Sequence, residues 1–208
     1  TSATNSANTG VGYQAGGAIT TGIQNTLMGG ASGDVLTDAD YNTAIGYQAL
    51  SADTKGNRTT AVGYNALASQ NFTSSTDTFN TAVGMSAGQN NVTGLQNTYL
   101  GYGAGIAAVT SYNTAVGYNA LGDETNGERS TAIGRNALAS ANSSSSTEST
   151  NTALGFNSGN AITTGIKNTI IGSYTGNQDS LDIRTSNNNI VLSDGDGNPG
   201  QFTLGGGT

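Results

Sequence analysis

One nine-residue phrase recurs along this chain and dictates most of what the chain can become. In its clearest form it reads Asn113-Thr-Ala-Val-Gly-Tyr-Asn-Ala-Leu121, and further copies begin at Asn8, Asn25, Asn42, Thr59, Asn80, Asn97, Ser130, Asn151 and Asn168. The motif glycines are Gly12, Gly29, Gly46, Gly63, Gly84, Gly101, Gly117, Gly134, Gly155 and Gly172, spaced by 17, 17, 17, 21, 17, 16, 17, 21 and 17 residues. A period of this size, kept along most of a chain, is the mark of a solenoid in which each repeat stacks on the last. A longer period lies over it. The 21-residue steps end at Gly84 and Gly155, 71 residues apart, and Gly12 lies 72 before Gly84. Four coils therefore make one unit, present about two and a half times.

The phrase reads as a β-strand. Alternation places Thr, the large aliphatic residue and the following aromatic on one face, and Asn, Ala and Gly on the other. With one bulky and one small face, neither charged, the strand is expected to be covered on both sides. A 17-residue step is too short for a helix pair and suits a coil of two or three short strands with tight corners. The fold expected is all-β, a parallel β-solenoid of ten coils over residues 8–176, about 50 Å long at roughly 4.8 Å per coil. Residues 1–7 form a lead-in. Residues 177–208 read as short strands, Leu181–Arg184, Asn189–Leu192 and Gln201–Leu204, with a turn at Asp194–Gly200. Asn begins eight of the ten copies, so stacking predicts an Asn hydrogen-bonding ladder.

Composition restricts the chemistry. The 208 residues carry a net charge of −7 and contain no Cys, His or Trp. Without His or Cys there is no conventional catalytic triad, thiol nucleophile or His/Cys zinc site, and no metal or cofactor is expected. The carboxylate groups Asp38/Asp40 and Asp123/Glu124 read as solvated corner residues, so the chain is expected not to be an enzyme. An acidic surface argues against nucleic acid. No stretch is apolar enough to span a membrane and no signal-peptide pattern opens the chain; Thr1 in place of an initiator Met suggests a fragment or processed product. Val, Ile, Leu and Phe make up only about a sixth of the chain. A core that thin implies burial supplied by partner chains.

The candidate binding residues fall into two groups. Tyr13, Tyr47, Tyr64, Tyr102 and Tyr118 follow the motif glycine, with Phe156 continuing the row and Met85 and Arg135 interrupting it. They form either a structural aromatic stack or a platform for sugar rings. The enlarged fourth coil carries the Ser-rich inserts Ala68–Ser75 and Ala139–Ser146, from which Phe72 and Phe79 are expected to project with Ser and Thr toward a cell-surface glycan or other host receptor. Lys55, Arg58, Glu128 and Arg129 mark solvated corners of the third coil. Asp194-Gly-Asp-Gly-Asn198 starts like a calcium loop, but Pro199 and Gly205 stand where Gly and Glu are needed, so a hairpin turn is expected. The Thr column shares its face with the large aliphatic residue, which disfavours an ice-binding plane.

The phrase Asn-Thr-Ala-Val-Gly-Tyr-Asn-Ala-Leu resembles repeats of the long tail fibres of bacteriophages, especially cyanobacterial viruses. It also resembles the Ser-Val-Ala-Ile-Gly repeats of trimeric autotransporter adhesin heads. The resemblance covers residues 8–176. It implies a left-handed β-roll of the YadA-head kind, trimeric, with Val62, Val83, Val116 and Ile133 toward the three-fold axis and Ala and Gly lining the roll. The segment Asn187–Asn198 resembles the stretch preceding a C-terminal chaperone domain in phage fibres. The 17-residue step and the lack of a basic neck favour a virion tail fibre, with other tail proteins as partners. The alternative is an adhesin head on a bacterial cell surface.

Overall fold

Thr-Ala-Val and its variants supply β-branched residues on one side and a methyl on the other, the composition of a narrow parallel strand. In the computed structural model, which describes residues 6–143 and 148–205, these triplets form parallel rungs. They are Thr9–Val11, Thr26–Met28, Thr43–Ile45, Thr60–Val62, Thr81–Val83, Thr98–Leu100, Thr114–Val116, Thr131–Ile133, Thr152–Leu154 and Thr169–Ile171. Pairing joins like to like, as in Thr43↔Thr60, Ala44↔Ala61 and Ile45↔Val62. The rungs do not end with the motif. Ile190–Ser193 pairs parallel to Thr169–Ile171 as a further turn, giving about eleven, and Pro199–Thr203 closes the twelve-stranded sheet antiparallel to it. The fold is an all-β parallel solenoid, and no described residue is helical.

Each coil holds fewer strands than its length suggests. Beyond the main sheet the described residues form only the two-residue pair Gly56–Asn57 with Thr76–Asp77, the antiparallel pair Asn177–Gln178 with Leu181–Asp182, and one isolated bridge, Glu128↔Glu148. The remaining path is turns, yet it is tied coil to coil by backbone bonds such as Leu50 N–H to Ala66 O (3.0 Å) and Leu67 N–H to Ala87 O (3.0 Å). Left-handed backbone conformations turn the corners. They recur before the first motif position (Tyr41, Arg58, Phe79, Tyr112), after the residue that follows the motif Gly (Asn65, Asn119, Asn136) and at the core leucines (Leu50, Leu67, Leu121, Leu138), with φ between 48° and 66°. The motif glycines have φ of 109–139°, a region closed to other residues.

The interior is lined by small side chains. Ala44, Ala61, Ala82, Ala115, Ala132 and Ala153 are fully buried. Three coils replace this alanine with Leu27, Tyr99 or Ile170, also buried, and there the corner leucine is absent. Gly88 and Gly105 stand in its place around Tyr99, and a Cβ on Gly88 would lie 2.6 Å from the Tyr99 ring. In these coils the large side chain stands on the strand wall instead of at the corner.

The Asn column is a ladder of a different kind from the one expected. Asn97 Oδ1 accepts the backbone N–H of Asn113 (2.8 Å) and Asn113 Oδ1 that of Ser130 (2.9 Å), while each Nδ2 donates to a carbonyl of the following coil, as Asn97 does to Thr110 O (2.8 Å). Direct Asn–Asn side-chain bonds occur near the ends, Asn25 to Asn8 and Asn189 to Asn168. Each side chain thus satisfies corner backbone groups that turns leave unpaired.

Candidate functional site

The motif strand turns its Ala–Asn face inward, so its other face lies on the outside of the chain for the length of the sheet. Four columns cover it. The large aliphatic residues form one, with Val11, Met28, Leu100, Ile133, Leu154, Ile171 and Leu192 exposed and Ile45, Val62, Val83 and Val116 half-buried. Thr flanks it on the N-terminal side and the aromatic row on the C-terminal side. A fourth column, the residue before each motif Asn, places Tyr41, Arg58, Phe79, Tyr112 and Arg129 on the same face. The expectation of a strand covered on both sides therefore fails within one chain: the small face is interior and the bulky face is open.

The aromatic row is ordered by its own contacts. Tyr47 and Tyr64 stack at 5.6 Å between centroids and 15° between planes, and Tyr102 and Tyr118 at 5.2 Å and 8°. Arg135 continues the row instead of breaking it, its guanidinium 5.6 Å from both the Tyr118 and Phe156 rings. Tyr13 stands apart, 78% exposed, since Gly30 follows it in the column. Stacked rings spend their faces on each other, so edges and hydroxyls are what this row presents outward. In the fourth column Arg58 lies over Tyr41 (4.8 Å) and Phe79 (6.0 Å), and Arg129 over Tyr112 (5.3 Å). Arg58 also pairs with Asp77 (3.1 Å), and Arg129 with Glu148. This column escaped the sequence reading, although its aromatic and Arg residues keep the same period as the motif.

Phe72 and Phe79 do not form a shared projecting patch. Phe79 is 53% exposed, whereas Phe72 is buried to 9%. The Phe72 N–H is held by Asp53 Oδ1 (3.0 Å) and its carbonyl by Thr54 (2.8 Å). The first insert folds in because Asp53 is a buried acceptor with several donors, Gly56 N–H (3.1 Å) and Gln70 Nε2 (2.7 Å) among them. Gln70, at the start of the supposed loop, is wholly buried. Only Asn71 and Thr73 to Ser75 are exposed there; residues 144–147 of the second insert lie outside the described residues. The four-coil period sets Glu124 at the position of Asp53. Glu124 is buried, its Oε1 taking the N–H of Gly127 (2.6 Å) as Asp53 takes that of Gly56, so it is no solvated corner.

The tail turn is closed by its own carboxylate. Asp194 accepts the N–H groups of Asp196 (3.0 Å) and Asn198 (2.9 Å) and the Asn198 amide (3.0 Å). These bonds, the Asn198 amide first, hold its pKa below the usual carboxylate range. No group of three or more acidic or metal-ligating side chains converges among the described residues. No described helix is long and apolar enough to cross a membrane.

Two stretches of the chain, residues 55–74 and 126–146, match the family model of the YadA head domain repeat. Each takes in the corner of the third coil, a motif strand and most of the enlarged insert, so the matches recur with the four-coil period. No curated protein and no solved structure matches the chain. The molecule is thus an all-β parallel solenoid with two segments similar to the adhesin head repeat named for YadA.

Proposed function

We propose that this chain is a non-catalytic, rod-forming attachment segment that works as a parallel homotrimer. The observation that carries the reading is the outward sheet face, apolar and exposed or half-exposed from Val11 to Leu192. Solitary parallel sheets are covered on both faces, and an exposed apolar strip of this length marks an association surface. Burying what remains exposed of each aliphatic residue contributes roughly 1 kcal/mol per residue. Repeated in every coil, that is enough to hold chains together. A second copy in parallel register presents the same columns at the same heights.

The similarity to the YadA head domain repeat supports the adhesin form of this reading, a head on a bacterial surface. The 16–17-residue coil supports a second form, a shaft or receptor-binding segment of a virion tail fibre. In both, rigid coils present one surface many times, which gives weak contacts multivalent reach. Host-receptor contact in this reading falls on Thr73 to Ser75 and the neighbouring coil edges, since Phe72 is internal.

Sedimentation at micromolar concentration tests the assembly. A species of three times the 20.7 kDa chain mass is expected; a monomer refutes the trimer. Reading the gene downstream of the codon for Thr208 separates the two forms. A coiled coil with a membrane anchor means adhesin, and a chaperone domain means fibre.

A further inference from the structure

The two four-coil units solve one buried polar problem in different ways. In the first, Gln70 bridges three groups at once. Its Nε2 donates to Asp53 Oδ2 (2.7 Å) and Thr59 Oγ1 (3.0 Å), and its Oε1 accepts from Asn80 Nδ2 (2.8 Å). Register places Glu124, Ser130, Asn151 and Ala141 at the corresponding positions of the second unit. Ala141 lacks the amide. Glu124, fully buried, is left with Oε2 unpartnered. Asn151 keeps its bond to Gly165 O (2.9 Å), and its second amide hydrogen has no acceptor among the described residues.

The hydroxyl orientations follow from their chain of bonds. Ser149 Oγ donates to Glu128 O (3.0 Å), so the 2.6 Å contact between Ser130 and Ser149 must use the Ser130 proton. Ser130 therefore keeps an acceptor lone pair, as Thr59 does where it receives Gln70. Space is available. Against the first unit, the second loses the amide and one methylene of Gln70 and the methyls of Thr59 and Thr78, now Ser130 and Ser149. It gains only the extra methylene of Glu124.

We infer that the second unit binds one ordered water in this chamber, donating to Glu124 Oε2 and Ser130 Oγ and accepting from Asn151 Nδ2. Two donors and one acceptor are what Gln70 supplies in the first unit and what a water molecule supplies here. An ammonium ion has no lone pair for Asn151, and a metal cation would face its N–H, so chemistry selects water over a cation.

High-resolution crystallography of the protein and two variants tests this. Wild type is expected to show one solvent oxygen within about 3.2 Å of all three groups. The double variant Glu124→Asp/Ala141→Gln is expected to lose it, with the new amide in its place. The reciprocal Gln70→Ala variant is expected to gain a water between Asp53, Thr59 and Asn80. An empty wild-type chamber overturns the inference, as does an anomalous peak there after a rubidium chloride soak. Gln70→Ala crystals with no new solvent overturn it too, even where the double variant does not fold.

Discussion

A methyl group added at Gly117 would sit 2.6 Å from the carbonyl oxygen of Gly134, on a backbone whose φ is 130°. Both faults repeat at every motif glycine, because each rung passes its backbone close beneath the next. Gly117→Ala is expected to cost at least about 2 kcal/mol, the strain of that conformation plus the displaced neighbour, read as a lowered midpoint in chemical denaturation. Tyr99 poses the opposite case. Its ring fills the core but its hydroxyl is buried with no partner, and burial raises its pKa. Tyr99→Phe is expected to leave stability unchanged or raise it by about 1 kcal/mol. Tyr174→Phe, which loses a bond to Leu181 O (2.8 Å), is expected to lose about 1 kcal/mol in the same measurement. The motif glycines were legible from the sequence as a column because they recur in phase. The isolated hydroxyl of Tyr99 was not, since nothing in a Tyr at an Ala position says which neighbours shrink around it.

Within a coil, side chains are interchangeable only as sets. Tyr99 goes with Gly88 and Gly105, as Ala115 goes with Leu121, and the core volume is shared between two walls. Tyr99→Ala alone is expected to cost about 3–5 kcal/mol through the void it leaves. Adding Gly105→Leu, at a corner where Leu121 already adopts φ of 54°, is expected to recover part of that loss in a double-mutant cycle. The closing hairpin responds to pH instead. Asp194 has a depressed pKa in the folded chain, so its contribution is present above the unfolded value of about 3.9. It is lost as pH falls through the lower folded value. The Asp194 carboxyl resonance should titrate below that of a peptide reference, and the turn amides of Asp196 and Asn198 should lose protection with it. Titration at the reference value refutes the assignment. The rungs and their register could be read from the sequence, because apolar phase encodes them. The single strand per coil could not, for backbone bonds between turns leave no side-chain signature. Nor could the burial of Phe72, which depends on Asp53 and Gln70 meeting from different coils.

The whole molecule is a thin rod with one face finished by its own chain and one face left apolar. The scarce aliphatics already pointed to partner chains, and the large column at Val62, Val83, Val116 and Ile133 was legible as the candidate contact. Its direction came from the resemblance, and burial of the alanines now places it outward. A charge introduced there separates folding from assembly. Lys at position 62 or 116 projects from the outer face and touches none of the interior columns, so each coil keeps its alanines, its Asn bonds and its backbone ties. In an assembled rod the same ammonium would be buried against copies of itself around the axis, unpaired and close to like charge. Val62→Lys/Val116→Lys is therefore expected to sediment as a single chain of 20.7 kDa with a β-rich circular dichroism spectrum, melting earlier and independently of concentration. The wild type should melt later as concentration rises. If the double variant stays associated and melts like the wild type, the outward face is not the surface that joins the chains.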